Sequence, residues 1–250
     1  SGEAMSMGER TPMAVLNPTA SCQMAVAESI TNLMAADLES LSDIKLSCNW
    51  MAATGENDDD LALWEGVEAI KDLCPIFGIA VPVGKDSLSM RARWQDGESY
   101  TVKSPLSLVV SAFAPVSEVT KTLTPALTKD KDTVLLFVDL GRGQNRLGGS
   151  IVQEIQKSLH GATPEVDAEL LLKAFKANQS LRKKNLLLAY HDKSDGGLWA
   201  TLCEMAFASR TGLNISLDAL VSKEKDFHSA LFNEELGFVV QLENKHLDLV

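Results

Sequence analysis

The strongest chemical signal in the sequence is the motif HDKSDGG, which lies between a strand-like apolar run and a helical apolar run. Its glycines, Gly196 and Gly197, let the backbone approach a ligand closely, and the free amides at the start of the following helix favour an anion such as phosphate. Asp192 is suited to hold a cation, and Ser194 can donate a hydrogen bond to a phosphate oxygen. A tight turn in which Ser194 or Asp195 caps the helix explains the same residues without a ligand.

A second signal is the pair Glu28 and Asn32, which lie one helical turn apart in a segment with helical spacing of apolar residues. Side chains at this spacing share one helix face, so a carboxylate and an amide oxygen can reach the same point. Both are hard oxygen ligands of the kind that Mg²⁺ prefers. Alone, the pair is more typical of a solvated helix face. It becomes a candidate metal site together with Asp192, because metal sites collect ligands from distant parts of a chain.

Three further segments carry weaker signals, and their roles stay open. Lys85 follows an apolar run that predicts a buried strand, so it is placed either to meet a phosphate or to be solvated or ion-paired. The loop 141–149 holds glycines and arginines ahead of a helix, but the third glycine of the dinucleotide fingerprint is missing. Glu234 and Glu235 precede a strand and are compatible with a base, a ligand or an exposed turn.

Composition excludes some classes of function. The chain has 250 residues, 45% of them hydrophobic and 23% charged, which predicts one large or two medium globular domains. A net charge of −11 argues against binding to nucleic acid or to an anionic membrane surface. The longest apolar run, 106–116, is shorter than the ~20 residues of a membrane-spanning helix. The scattered cysteines match no zinc or redox motif and the N-terminus holds no signal segment, so we expect a soluble, cytoplasmic protein with reduced thiols.

Strand-like and helical segments alternate in both halves, which predicts α/β and α+β folding. A polar stretch from Pro115 to Asp132 marks a boundary between two predicted domains, 1–116 and 117–250. The predicted strands cover residues 45–53, 79–83, 88–94, 100–103, 106–114, 133–139, 186–190, 213–217 and 236–242. The predicted helices cover residues 20–37, 61–73 (stopped by Pro75 and Gly78), 150–159, 166–183 and 198–209. No clear element begins at Ser1, and residues 243–250 have the pattern of an opening helix that then stops, so we expect a piece cut from a longer protein.

Seven ordered segments resemble the phosphoribosylformylglycinamidine synthases: SGEAMSMGER, AVAESITN, KLSCNWMAA, PVGKDSLSM, SPLSLVVSAFAPV, HDKSDGGL and LFNEELG. They span nearly the whole chain and resemble the second synthetase half of the large, single-chain bacterial form. This family belongs to the aminoimidazole ribonucleotide (AIR) synthetase superfamily. The resemblance implies an AIR-synthetase-like N-terminal α/β domain, whose sheet makes a barrel-like dimer or pseudo-dimer, and an AIR-synthetase-like C-terminal α+β domain, both truncated.

The reaction implied by the resemblance is the ATP- and glutamine-dependent conversion of formylglycinamide ribonucleotide (FGAR) to its amidine in purine biosynthesis. In this C–N ligase of the glutamine amidotransferase type, ATP activates the amide oxygen, ammonia from glutamine displaces the phosphate, and Mg²⁺ neutralises phosphate charge. This half is expected to carry an auxiliary Mg²⁺ and ATP or ADP site, to hold no catalytic residue and to be inactive alone. The expected partners are the nucleotide, the remaining domains of the same synthase chain and, for the isolated piece, a second copy.

The site residues implied for this half come from two segments. The resemblance assigns the metal to Glu28, Asn32 and Asp192 and a nucleotide contact to Ser194, beside the glycine pair Gly196 and Gly197. A further metal-binding aspartate is expected upstream of Ser1. Two alternatives remain open: a scaffolding module that holds no nucleotide, and a self-sufficient relative of the selenophosphate synthetase or thiamine-phosphate kinase type. The latter would need a phosphate-binding segment before Glu28, where none occurs.

Overall fold

The computed structural model describes residues 1–55, 57–129, 132–221 and 227–249, and it has the expected mixed α/β architecture. The strands are β1 (Gly2–Glu9), β2 (Lys45–Met51), β3 (Ala80–Ser87), β4 (Arg91–Asp96), β5 (Glu98–Lys103), β6 (Ser107–Val116), β7 (Thr133–Asp139), β8 (Leu187–Asp192) and β9 (Gly237–Glu243). The helices are α1 (Thr11–Ala14), α2 (Pro18–Leu33), α3 (Asn57–Phe77), α4 (Ile151–Ile155), α5 (Ala168–Lys183), α6 (Gly197–Ser209) and α7 (Phe227–Phe232).

Four strands of the first half form one sheet in the order β1-β6-β2-β3, in which β6 is antiparallel to both of its neighbours and β2 is parallel to β3. Alternate residues of β6 are buried on the face that packs against α2, as the period of a strand requires. Where β1 crosses α2 the two backbones touch, since a Cβ at Gly8 would lie 2.0 Å from Ala25 O. Only glycine allows this approach, which brings the end of β1 beside α2.

Helix α2 is buried on nearly every side, as expected for a helix that is apolar all round. Asn17 caps its start by accepting a hydrogen bond from Ala20 N at 3.0 Å, and Pro18 occupies the first turn, where its missing N–H costs no hydrogen bond. The second half also contacts this helix: Tyr190 Oη of β8 donates to Thr31 O at 2.6 Å. Helix α2 is therefore the element on which both halves pack.

Side chains of α5 cover the C-terminal end of α2, where the last helix carbonyls lack intrahelical partners. Asn178 Nδ2 donates to Met34 O at 2.9 Å, and Gln179 Nε2 donates to Ala36 O at 3.2 Å. The buried Arg182 guanidinium also donates to Ala36 O. Apolar side chains of the two halves merge in one core at this junction, so the halves are packed together rather than merely tethered.

Three strands of the second half form an antiparallel sheet in the order β7-β9-β8, with β9 central and almost wholly buried. Helix α6 packs on it over a small separate cluster of apolar residues. The two sheets lie on either side of the predicted border between 1–116 and 117–250; residues 130 and 131 of the predicted linker lie outside the described residues. The division into two domains stays a prediction. None of the described helices combines the length and the apolar character that crossing a membrane requires.

The first sheet is open, and its second face is largely uncovered. Met5 and Met7 of β1 point to that face and are 71% and 58% exposed. Their partners across β6 are Phe113 and Ser111. The barrel expected from the resemblance is thus not closed by this chain's own strands, and a second sheet would be needed to cover the face.

Strand β3 departs from its prediction, because the expected buried strand is an exposed edge strand. The apolar run begins in the core at Ile79 but then places Val83, 58% exposed, on the open face. Lys85 lies within the strand, paired with Asn49 of β2, rather than in a loop after it. The prediction was wrong because an apolar run reports hydrophobicity and not whether a second layer covers it.

Several boundaries also differ from those predicted. Residues 2–9 form β1, although no element was expected there, because β6 supplies a partner strand. Helix α3 continues through Pro75 to Phe77, whose side chain is buried and holds the last turn in the core. Helix α4 is short, since the chain reaches a left-handed conformation at Lys157. Segment 213–217 forms no strand, as no described strand pairs with it, and the last element is a 3₁₀ helix, Asn244–Leu249, rather than an α-helix.

Candidate functional site

Arg10, which directly follows β1, is the centre of a charged cluster between the two halves. Only 2% of its surface is exposed. Its Nη1 donates to Asp195 Oδ1 at 2.8 Å and to Glu234 Oε2 at 3.3 Å, both in the second half. Its Nη2 lies 3.4 Å from Glu28 Oε1 on α2, in the first half. One buried cation therefore joins carboxylates of both halves.

Glu28 faces this cluster and not the solvent, although its pair with Asn32 alone had favoured a solvated helix face. Its Oε2 accepts a hydrogen bond from Glu9 N at 2.8 Å. Burial raises the pKa of Glu28, against the lowering effects of Arg10, of the Glu9 amide and of a hydrogen bond from the Ser194 side chain. Glu28 and Ser194, predicted from distant segments, are thus neighbours in the folded chain.

Glu234, whose role the sequence left open, is buried at the start of two helices. Its Oε1 accepts hydrogen bonds from Ile151 N of α4 and from Gly196 N of α6, each at 2.9 Å. Burial raises its pKa, against the lowering effects of Arg10 and of these two amides. Helix N-termini attract anions, and here the anion is a carboxylate of the protein itself.

The glycine pair at the start of α6 has both of its amides bonded within the protein. Gly196 N donates to Glu234, and Gly197 N donates to Ser194 O at 3.0 Å. Both glycines have positive φ, and a Cβ on Gly197 would lie 2.5 Å from Asn233 O. Glycine is required here by the turn and by close packing. Whether the pair also contacts a nucleotide stays a prediction.

Asp192, the last residue of β8, lies at the edge of the same cluster. It is 8% exposed, and its Oδ1 is 3.4 Å from His191 Nδ1. Its charge helps to raise the pKa of Arg10, an effect in which Glu28, Glu234 and Asp195 also take part and which outweighs the lowering by burial. Four carboxylates thus surround one guanidinium, with the Lys193 ammonium in electrostatic reach of Arg10 and Glu234, so the carboxylates still outnumber the cations.

Asn32 lies at the exposed margin, one helical turn beyond Glu28, where its Nδ2 donates to Met7 O at 3.4 Å. Of the predicted site, Glu28 and Asp192 therefore lie in electrostatic reach of Arg10 and Ser194 lies beside Glu28, whereas the hydrogen bond described for Asn32 is to Met7 O. Within the described parts of the chain, no group of three or more His, Cys, Asp or Glu side chains is arranged to hold a metal.

Sequence reasoning missed Arg10 and Lys193. Lys193 is 1% exposed, its Nζ donates to Asn233 Oδ1 at 2.5 Å, and it lies over the Phe137 ring. Burial lowers its pKa to about 8. The signal for Arg10 was its place at the end of the segment SGEAMSMGER, two residues after Gly8, but a charged residue after a strand is ordinarily taken to lie at the surface.

The other candidates lie outside the cluster or beside it. Lys85 is exposed, and its Nζ donates to Ser87 Oγ at 2.7 Å. In the loop 141–149, Arg146 pairs with the buried Glu235, with Nε 2.6 Å from Oε1. Arg142 of the same loop pairs with Asp167. These cations therefore already have partners in the protein.

Comparisons with known proteins agree with this fold. Residues 1–115 match the family model described as the FGAR-AT PurM_N-like domain, and residues 131–248 match the C-terminal domain of AIR synthase related proteins. PurL of Thermotoga maritima, complexed with FGAR, is similar over 99% of this chain with a TM-score of 0.72 and 12% identity. This chain covers only 38% of that PurL chain.

Two further solved structures share the fold. Thiamine-monophosphate kinase from Stenotrophomonas maltophilia K279a has a TM-score of 0.57 and 16% identity, with 100% of this chain and 78% of that chain covered. Hydrogenase maturation protein HypE has a TM-score of 0.64 and 14% identity, with 100% and 74% covered. The fold is that of the AIR-synthase-related proteins. Both family models match in order, 1–115 and then 131–248, so the chain combines an FGAR-AT PurM_N-like domain with the C-terminal domain of AIR synthase related proteins, and the resemblance to the phosphoribosylformylglycinamidine synthases (FGAR amidotransferases) is confirmed.

Proposed function

We propose that this chain is one synthetase half of a phosphoribosylformylglycinamidine synthase and that its cleft binds a magnesium nucleotide, ATP or ADP, at an auxiliary site. The observation that carries the proposal is that Ser194 of the second half bonds to Glu28 of α2, while Glu28 and Asp192 both act on the same guanidinium of Arg10. PurL of Thermotoga maritima has been solved complexed with ATP and with ADP, at TM-scores of 0.66 and 0.70 to this chain. Those complexes support a nucleotide as the ligand.

The donor set suits Mg²⁺ chemically. Glu28 and Asp192 offer carboxylate oxygens and Asn32 an amide oxygen, all hard ligands. The cluster holds more carboxylates than cations, and burial raises the pKa of Glu28, as expected for a carboxylate that lacks sufficient positive charge. When bound, the metal would neutralise phosphate charge. Glu28 and Asp192 would hold it, and Ser194 would orient a phosphate oxygen by hydrogen bonding.

The proposal places the chemistry of the ligase elsewhere in the synthase. We assign no catalytic residue to this half and expect it to be inactive alone in the glutamine-dependent reaction. The remaining domains of the same synthase chain would be its partners, with the open face of the first sheet packing against the pseudo-symmetric half. A cytoplasmic location is part of the proposal, and the four free cysteines support it.

A scaffold without nucleotide is the second candidate function. The observation that favours it is that groups expected to bind the ligand already have partners within the protein. Glu234 accepts a hydrogen bond from the α6 amide expected to bind phosphate, and Arg10 pairs with Glu28. In this alternative, ion pairs within the protein hold the two halves together at the cleft and no ligand is required.

Calorimetric titration of the purified chain with Mg–ADP and Mg–ATP separates the two candidates. The nucleotide proposal expects a dissociation constant in the micromolar range, and Ser194→Ala should weaken it by about tenfold through loss of one hydrogen bond. Ser180→Ala, at an exposed position on α5, is the matched control and should leave binding unchanged. No binding heat at millimolar nucleotide would favour the scaffold.

A further inference from the structure

We propose that Arg10 is a resident cation that competes with a divalent metal ion for Glu28, so that the metal and the guanidinium alternate as the partner of this carboxylate. The inference deepens the proposed function, since it concerns the same cleft and the same metal-binding carboxylate. It assigns to Arg10 a positioning role: it holds the two halves and the carboxylates in place when no metal is bound.

Arg10 lies close to three carboxylates, but only one of its guanidinium nitrogens donates hydrogen bonds. Nη1 makes both hydrogen bonds, to Asp195 and to Glu234. Nη2 is near Glu28 without a hydrogen bond, and both Nη2 and Nε are buried with no hydrogen-bond partner. The Arg182 guanidinium, which also has an unpartnered Nε, differs because both its Nη1 and its Nη2 donate hydrogen bonds to backbone carbonyls. Arg10 therefore acts chiefly through its charge, the one property that a metal ion can replace.

The arrangement of partners allows the exchange. The ion pair of Arg10 with Glu28 runs from Nη2, at 3.4 Å, whereas the two second-half carboxylates share Nη1. A metal that took Glu28 would leave Arg10 anchored by Glu234 and Asp195. Conversely, removing the guanidinium takes away the ion-pair partner of Glu28, Glu234 and Asp195 and a cation in electrostatic reach of Asp192, and it leaves Lys193 as a cation near Glu234. That cluster should bind a divalent cation more tightly than the wild-type cleft does.

The test compares Arg10→Met with Arg182→Met by thermal unfolding of the full chain over a series of MgCl₂ concentrations, with NaCl at equal ionic strength as the salt control. Arg182 is also buried and also joins the halves, but it donates to backbone carbonyls rather than to carboxylates. Both variants should unfold at a lower temperature than the wild type. Only Arg10→Met should then gain more stability from Mg²⁺ than the wild type, with an apparent Mg²⁺ affinity about tenfold higher.

An Arg10→Met chain whose Mg²⁺ response equals or falls below that of the wild type would overturn the proposal. So would an equal gain in Arg182→Met, because Mg²⁺ would then merely compensate for loosened halves. If Arg10→Met does not fold, the milder pair Arg10→Gln and Arg182→Gln decides in the same way, since glutamine removes the positive charge but keeps an amide that can donate hydrogen bonds. A wild type that binds no Mg–ADP, with a Mg²⁺ gain in the Arg10 variant, would remove the nucleotide proposal and keep this one.

Discussion

Glu234 illustrates how a single buried side chain can take the place expected for a ligand. The amides of Ile151 and Gly196 both donate to it, and Arg10 neutralises it from the other side. A glycine turn at a helix N-terminus is favourable for any anion, whether phosphate or carboxylate. The motif therefore identifies an anion position, while the identity of the anion depends on a residue 38 positions further along the chain.

At Gly197, the effect of close packing can be separated from the effect of a positive φ angle by comparison with Gly143. Gly197 (φ +65°) would place a Cβ 2.5 Å from Asn233 O, whereas Gly143 (φ +69°) has open space around it. We expect Gly143→Ala to destabilise the fold by about 1 kcal/mol through backbone strain alone. Gly197→Ala should cost about 3 kcal/mol, because steric displacement of the 231–233 backbone is added.

Equilibrium unfolding in urea measures both variants. Equal destabilisation by the two alanines would show that the contact with Asn233 O is unimportant. The result also governs how nucleotide experiments are read: a Gly197 variant that loses nucleotide through misfolding says nothing about a phosphate contact, and Ser194→Ala is the cleaner probe.

At the scale of elements, three buried thiols lie where α2, β2 and α3 meet. Burial raises the pKa of Cys22 and Cys48 to about 12 and that of Cys74 to about 11, from an ordinary value of 9.0. The unfolded chain loses these protons from about pH 9 upward while the folded chain keeps them. Their contribution to stability is thus complete below pH 9 and is lost as the pH rises toward 11 or 12.

In the Cys22→Ala variant, the free energy of unfolding should fall less steeply as the pH rises above 8. At pH 10 the wild type should have lost about 1 kcal/mol more unfolding free energy, relative to pH 8, than Cys22→Ala has. Cys203→Ala, at a partly exposed thiol of α6, is the control and should follow the wild-type slope. Unfolding by urea under reducing conditions at both pH values gives the comparison, and parallel wild-type and Cys22→Ala curves would contradict it.

The helices and strands show which parts of the fold can be predicted from the sequence. Helices α2, α5 and α6 were predicted because their apolar spacing is local, and the β4–β5 hairpin because Gly97 supplies its positive-φ turn. Strand β1 was missed, since its alternation of methionine with small residues gains meaning only from β6, about a hundred residues away. Segment 213–217 has strand-like composition but finds no described partner.

The same reasoning applies to the site. Ser194 and Asp192 were predicted because their motif is contiguous, and Glu28 because it lies one helical turn from Asn32, a pair to which the resemblance then assigned the metal. Arg10 was missed since its importance depends on Asp195 and Glu234, which are 185 and 224 residues away in sequence. Functional residues that lie together in one motif can be predicted from the sequence, whereas residues that come together only through long-range packing are found from the structure.

At the scale of the whole molecule, the second half contacts α2 beside its middle turns and at its C-terminal end. Arg10, beside its middle turns, joins Glu234 and Asp195, and α5 side chains bind its last carbonyls. The apolar core is continuous across this junction. The halves are thus coupled through α2, and the cleft residues it carries are fixed by the packing of both.

The open face of the first sheet is the part of the molecule that this packing leaves uncovered. On β1, Met5 and Met7 form an exposed apolar row that continues through Phe113 on β6. Exposed apolar patches on sheets are sites of association. In the isolated chain, we expect a second copy to cover the face, as the pseudo-symmetric half would in a synthase.

Met7→Lys should therefore shift the chain toward the monomer, because a buried unpaired ammonium at the contact is costly whereas an exposed one is not. Light scattering after size exclusion, over a range of protein concentrations, measures the mass of both proteins. Leu247→Lys replaces a similarly apolar residue, 40% exposed near the C-terminus, and should retain the wild-type mass. A wild type that stays monomeric at every concentration would show that the face needs a partner other than its own copy, since the exposed row would then be insufficient for self-association.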